Sequence, residues 1–374
     1  MRTGIATVPL DSGRCPRWLF EKMKRLSRGI FLAIREEFGP EEILKRLADP
    51  IWFQSLGCVI GFDWNSSGLT TTTLGALKVG LFDIQDELGI YICGGKKESR
   101  KTPQEIEAYG ISRGFPFSQN LIYSSKMAAK VDSALIQDNY QIYHHNLIFS
   151  KNGQWTVIQQ GMNKENSTAR RYHWLSSTLR QAQGKEDFIE EPHSGIISGV
   201  KVKPLNLTAK KSNKNREIST ELVIEEPKTF LKDLNLIQTK KSKNLTLMEL
   251  RNVEFHWHPV VNEKFDLKRL EKTIFFANSQ EPKNFEQLLA LKGIGPKTIR
   301  ALSLVSEIIY GAKPSYEDPA RYSFSVGGKD GTPFFVKRDV YDKLLDIMER
   351  GIKRSRVSNR EKIEAQKRLI KTLK

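Results

Sequence analysis

At 374 residues the chain is long enough for two domains with separate cores. Its 60 Lys and Arg against 43 Asp and Glu give a formal net charge of +17, which favours a polyanionic partner, nucleic acid first, through counterion release. No apolar run approaches the ~18 residues of a spanning helix, no signal-peptide core opens the chain, and Cys15, Cys58 and Cys93 show no metal or disulfide spacing, which argues against a membrane partner and fits a reduced cytoplasm.

Residues 3–8 read as a short strand, and Pro16 opens a helix over 17–38 that Gly39-Pro40 ends. Leu19, Met23, Leu26, Ile30 and Ile34 give that helix a core face, while Arg17, Lys22, Lys24, Arg25 and Arg28 form a solvated face able to lie along DNA. A helix over 41–47 and an apolar stretch over 51–62 follow. Asp63-Trp64-Asn65-Ser66-Ser67-Gly68 then leads into Thr70 to Thr73, a turn that either caps the next helix or holds an anion. A buried strand over 90–93, a capping box at Thr102-Pro103-Gln104-Glu105 and a helix over 119–137 come next.

The period then changes to two. Residues 141–149 and 154–160 alternate about Asn152-Gly153, which predicts a β-hairpin with a two-residue turn. That turn pairs His145 with Gln160 and Asn146 with Gln159, placing His144, Asn146 and Gln159 on one face and His145 and Gln160 on the other. Arg170-Arg171-Tyr172-His173-Trp174 leads towards a further helix.

From 200 the composition turns to Lys, Asn, Ser and Thr, which predicts a basic, partly ordered connector over 200–246 with a short helix near Leu231. It separates an N-terminal domain, 1–199, from a C-terminal domain, 247–350, and a basic helical tail follows over 351–374. The C-terminal domain holds His256-Trp257-His258, a Gly327-Gly328 loop and the most informative stretch, 288–310. There two short apolar helices flank Gly293-Ile294-Gly295, with Pro296 at the first position of the second helix. Unpaired N–H groups at that helix start suit a phosphate oxygen, and Thr298, Lys297 and Arg300 lie on the same side. The stretch resembles the helix-hairpin-helix motif, which implies a grip on the DNA backbone without base readout.

Candidate chemistry gathers in the N-terminal domain. Phosphodiester hydrolysis needs an activated water and cations for the developing charge, usually with a divalent metal on carboxylates. Asp132 and Asp138 are the carboxylates for Mg²⁺ or Mn²⁺, His144, His145 and His173 the candidate bases or ligands, and Lys130, Gln160 and Arg171 the groups that stabilise charge. Arg170 and Trp174 offer a phosphate contact and a stacking surface. Each has a bland reading as well: Asp138 as a turn residue, His145 and Gln160 as a satisfied sheet pair.

The opening Met-Arg-Thr-Gly-Ile-Ala-Thr, Lys130-Val-Asp-Ser, Tyr143-His-His145, Val157-Ile-Gln-Gln-Gly-Met-Asn163, Arg170-Arg-Tyr-His-Trp174 and Gly327-Gly-Lys-Asp-Gly331 together resemble a family of mainly archaeal and thermophile proteins catalogued as domain of unknown function 763. The resemblance implies a DNA-processing role and carries no catalytic assignment. A second resemblance, to helix-hairpin-helix DNA glycosylases, places Lys297 at the Schiff-base position. Asp318, twenty-three residues beyond Gly295, lies three residues past where that family has its Asp, and no cysteine follows Cys93 to hold an iron–sulfur cluster.

The expected fold is therefore α+β, an N-terminal mixed α/β domain with a β-hairpin followed by a mainly helical domain with a helix-hairpin-helix. The expected function is a cytoplasmic, divalent-metal-dependent nuclease acting on single-stranded or branched DNA, with a homodimer left open. The alternatives are a non-catalytic structure-selective DNA-binding protein and a glycosylase or abasic lyase.

Overall fold

Alternating residues over 141–175 build the centre of the molecule, a five-stranded antiparallel sheet with both faces covered by helices. The computed structural model describes residues 15–61, 67–96, 98–182, 185–240, 264–320, 338–355 and 357–372. The strand expected over 3–8, Asp63 and Trp64, the His256 and His258 pair and the Gly327-Gly328 loop lie outside them.

Five helices come first. α1 (Arg17–Phe38) starts after Pro16, and Gly39, at φ +84°, turns the chain into α2 (Pro40–Ala48). The Asp49 carboxylate accepts from the N–H groups of Ile51 and Trp52 and so caps α3 (Pro50–Val59), which is buried along its whole length. α4 (Gly68–Gly80) and α5 (Gln85–Leu88) lead to β1 (Ile90–Gly95). α6 (Thr102–Arg113), α7 (Ser118–Ala134) and the two-residue β2 (Ile136–Gln137) precede β3 (Gln141–Ser150), β4 (Trp155–Asn163) and β5 (Thr168–Leu175). A short ribbon, β6 (Arg180–Ala182) and β7 (Lys185–Asp187), precedes β8 (His193–Ser198), and β9 (Leu205–Asn206) pairs with β2. The strand order in the main sheet is β1-β3-β4-β5-β8. The segment 170–174, expected to enter a helix, is instead the fourth strand of that order.

The hairpin forms with a register one residue away from the expected one. The N–H of Gly153 donates to Ser150 O at 3.0 Å and that of Ser150 to Gln154 O at 2.8 Å, with Gly153 at φ +80°. This is a three-residue loop with glycine at the left-handed position, not a two-residue turn. Leu147 therefore faces Val157, His145 faces Gln159 and His144 faces Gln160. A one-residue shift exchanges the faces. His145 and Gln159 share one side of the sheet, and His144, Asn146 and Gln160 the other.

Each face has its own core. On one, Ile90, Ile92, Ile148, Ile158 and Leu175 pack with α1 to α4; on the other, Tyr91, Cys93, Leu147, Phe149, Val157 and Trp174 pack with α6 and α7. The C-terminal half divides between these faces. α8 (Asn213–Ile224) and α9 (Pro227–Lys240) occupy most of the expected connector, because Leu222, Val223, Phe230, Leu234 and Ile237 recur at helical steps and join the second core. α10 (Leu267–Ser279), α11 (Phe285–Ala290) and α12 (Pro296–Ile308) pack there too. The fold is thus α+β as expected, with the boundary at 200 replaced by a continuous core.

The chain returns to the first face as α13 (Arg338–Arg354), which begins within the expected C-terminal domain, and α14 (Asn359–Thr372), which lies in the expected tail. Glycines let α13 sit directly on α1: a Cβ on Gly29 would lie 2.3 Å from Ser355 Cα, and one on Gly351 would lie 2.7 Å from Ile30 Cα. Replacing Gly351 with Ala must push the two helices apart, an overpacking cost of about 1–3 kcal/mol. The expected result is a lower unfolding midpoint together with faster proteolytic release of the α13–α14 segment.

Candidate functional site

Three polar clusters hold most of the residues that the sequence offers for chemistry. The first lies between α7 and the sheet. Met127, Val131 and Leu135 fix α7 on the apolar face and carry Asp132 to full burial. Its Oδ2 accepts from Gln159 Nε2 at 2.5 Å and from the Trp174 indole N–H at 3.1 Å, and its Oδ1 meets His193 Nε2 at 2.5 Å. Gln159 Oε1 faces His145 Nδ1 at 2.8 Å, and His145 Nε2 meets Ser125 Oγ at 2.8 Å. Gln159 Nε2 also donates to Ala128 O at 3.1 Å, so the amide carbonyl is left to accept from His145. A continuous line of hydrogen bonds thus runs from Ser125 to His193, and burial holds the His145 imidazole neutral by lowering its pKa. The His193 ring packs edge-on against Trp174 at 4.6 Å and lines a cavity of about 90 Å³ with Glu191, Asn206 and Thr208.

Asp138 belongs to a second cluster. Its Oδ2 accepts from Arg170 at 2.9 Å and from the Tyr172 hydroxyl at 2.7 Å, and the Arg170 guanidinium also meets both oxygens of Asp318 at 3.0 and 2.8 Å. The three side chains are 0 %, 1 % and 6 % exposed, and Arg170 lies over the Tyr140 ring at 4.7 Å. Arg170 is therefore a buried structural cation holding Asp318 and the loop around it. It does not reach a phosphate at the surface, and Trp174, fully buried, offers no stacking face. Asp132 and Asp138 share no partner, so the expected two-carboxylate metal site is not assembled. Among the described residues no group of three His, Cys, Asp or Glu side chains converges as metal ligands.

The opposite face holds the third cluster, under the start of α4. Arg171 donates to Gln54 at 3.0 Å, to Thr70 at 3.1 Å and from Nε to His173 Nε2 at 2.9 Å, and its guanidinium lies over the Phe53 ring. Gln160 donates to Ser67 O at 2.9 Å and to the Tyr143 hydroxyl at 2.5 Å, and accepts from Thr70. Burial lowers Arg171 to about 9 and His173 well below the usual imidazole range. His144 is also buried here, and neither ring nitrogen has a hydrogen-bond partner among the described residues.

Lys130 lies at the back of the helical hairpin and in none of these clusters. Its Nζ donates to the carbonyls of Leu289 and Leu291, both at 2.6 Å, satisfying the C-terminal end of α11. Gln137 donates to Pro296 O at 2.9 Å and accepts from Arg300 Nε. The hairpin is thus bolted to α7 and β2. On its outer side Gly293 and Lys297 are exposed, Gly295 is half-buried, and Ile294 and Thr298 are buried. Asp318, expected to act with Lys297, has both oxygens engaged by Arg170, and Oδ2 also accepts from Val202 N at 2.9 Å.

The expected catalytic set is therefore divided among four places, and the residue that completes the best-formed constellation, His193, is absent from it. Fold and site define an antiparallel α+β protein with a buried Asp–His pair at a cavity and a glycine-rich helical hairpin on the same helix. The chain belongs to the family described as Protein of unknown function (DUF763), which it matches over residues 4–336. No curated protein and no solved structure matches it.

Proposed function

We propose that the chain binds the sugar–phosphate backbone of DNA, without reading its sequence, through the hairpin formed by α11 and α12. The observation that carries this reading is the glycine at 295. Gly293 is at φ +90°, so its conformation calls for glycine. Gly295 is extended, with φ −138° and ψ −172°, and a Cβ there would meet nothing within 4 Å. Neither backbone strain nor internal packing excludes a side chain at 295. A bare backbone there serves an approach from outside.

What approaches is an anion. No side chain caps the N-terminus of α12, which leaves its first N–H groups and the positive end of the helix dipole to a ligand. Lys292 and Lys297 are exposed on either side. α10 adds Arg269 and Lys272, exposed beside Thr273, whose methyl lies 3.7 Å from the Cβ position of Gly293. The net charge of +17 supplies long-range attraction. The stacking surface expected of Trp174 is removed by its burial, so backbone contact carries the reading.

The test is fluorescence anisotropy with labelled duplex and single-stranded oligonucleotides over a range of salt. Gly295→Ala is expected to keep the wild-type melting temperature and to weaken binding about tenfold or more. Lys297→Ala is expected to reduce the slope of log K against log salt by about 0.7–0.9. Binding without salt dependence, or full affinity in Gly295→Ala, would overturn the proposal.

A further inference from the structure

We infer that His193, oriented by Asp132, is a general base that takes a proton from water attacking a backbone phosphodiester; this substrate class rests on the DNA-binding reading above. Gln159 Nε2 and Trp174 Nε1 are obligate donors, and both end on Oδ2 of Asp132, at 2.5 and 3.1 Å. As a carboxylate, Asp132 can only accept on Oδ1. His193 Nε2, 2.5 Å from Oδ1, is therefore the N–H of the ring. The lone pair of the neutral imidazole is then on Nδ1, which makes no hydrogen bond among the described residues and belongs to a residue that lines the cavity. A buried acid that holds one nitrogen of an imidazole, in a histidine that lines an open volume, is the arrangement by which an Asp–His pair accepts protons.

A structural ion pair would not need this support. Asp132 is completely buried, 61 residues from its partner in sequence, and braced by an indole, an amide and, through the amide, His145 and Ser125. Such bracing prevents the imidazole from rotating. A metal-ligand role for Nδ1 would need further ligands, and no third group of that kind converges there among the described residues.

Placement points to the nucleic acid. The ribbon of β2 and β9 joins cavity and hairpin: Gln137 on β2 bonds Pro296 O at the hairpin, and Ile136 on β2 pairs with Asn206 on β9, which lines the cavity. Lys210 and Lys211 follow the lining residue Ala209 and are exposed at the rim, Lys211 paired with Glu317. A backbone held at the start of α12 can thus continue past cations to the cavity. The volume of about 90 Å³ admits a water and part of a phosphate, not a nucleoside.

In the step, the water oxygen bonds to phosphorus and its proton passes to Nδ1. The bond from phosphorus to the leaving sugar oxygen breaks, and that oxygen takes a proton from bulk water. The imidazolium releases its proton to solvent, so the net change is addition of one water. His193 is the catalytic residue and Asp132 a positioning residue. The other titratable groups beside the ring or lining the cavity are Tyr172 on β5 and Glu191 before β8, and Lys210 follows the lining residue Ala209.

The experiment uses the full chain with end-labelled single-stranded, duplex and flapped DNA, in EDTA and in Mg²⁺ or Mn²⁺, with binding measured in parallel. Wild type is expected to cut in at least one condition, and His193→Asn to lose about 10²–10⁴-fold in kcat. Asp132→Asn removes the anion that favours imidazolium, so the acid limb of its kcat profile is expected to move to lower pH, a displacement that loss of packing alone would not produce. If Asp132→Asn melts early, His193→Asn and the ¹⁵N shifts of wild-type histidine decide, with Nδ1 of His193 expected to be the unprotonated nitrogen above its pKa. Binding without cleavage in every condition overturns the base and leaves the hairpin reading standing. Absence of binding overturns both. A protonated Nδ1 with bare Nε2, or undiminished cleavage by His193→Asn, overturns the base alone.

Discussion

Arg170→Met is expected to destabilise the protein by about 3–5 kcal/mol, because it strips the cation from two buried carboxylates and leaves them uncompensated. Arg170 meets Asp138 at 2.9 Å and Asp318 at 2.8 Å with all three side chains inside the protein. The loss should extend beyond a local contact. Asp318 also accepts from the backbone N–H of Val202 and of Ala320, so Arg170 ties β5, the segment between β8 and β9 and the segment after α12 into one unit. The control separates the charge from the packing. Combining Arg170→Met with Asp138→Asn and Asp318→Asn removes the stranded charges, and most of the lost stability is expected to return, as it does when a buried ion pair is replaced whole. Urea unfolding midpoints at neutral pH read both. A triple variant no more stable than the single one would show that the arginine acts by shape, through its stacking on Tyr140 at 4.7 Å.

How much of this was legible in the sequence depends on how local the determining chemistry is. The helical hairpin could be read because Gly293 and Pro296 fix its backbone within four residues. The β-hairpin could be read as a hairpin, since alternation is local, but Asn152-Gly153 suits both a two-residue turn and a three-residue loop. Only the packing of Leu147 and Val157 into the core selects the second. The polar composition of 200–240 conceals Phe230, Leu234 and Ile237, whose helical spacing has meaning only beside the core they fill. His193 was out of reach for the same reason. Its meaning comes from Asp132, brought to it by the pairing of Trp174 with His193 across β5 and β8, and no spacing within one segment records that pairing. Clustering of histidine, carboxylate and arginine in one domain was a real signal. It pointed to dense buried polar networks, of which one pair faces a cavity.

Those networks make the protein acid-sensitive in a definite window. His144, His145 and His173 are each held neutral by burial, and for His144 the folded pKa falls to about 3. In the unfolded chain the same imidazoles titrate near ~6.5. Below that value the unfolded state binds protons that the folded state refuses, so stability is full above pH ~6.5 and is lost as the pH falls towards the folded pKa values. Each such histidine contributes a slope of up to about 1.4 kcal/mol per pH unit. Between pH 6.5 and 5 this loss precedes most carboxylate protonation and can be read separately from it. His144→Phe is the decisive variant. Neither nitrogen of His144 has a partner among the described residues, so an apolar ring of similar shape gives up no hydrogen bond and removes the cost of two unsatisfied atoms. It is expected to match or exceed wild type in urea midpoint at pH 7.5, and to lose stability less steeply on acidification by up to about 1.4 kcal/mol per pH unit. An unchanged slope would show that His144 takes up its proton in the folded state, and that the polar pocket beneath α4 admits the water needed to carry the charge.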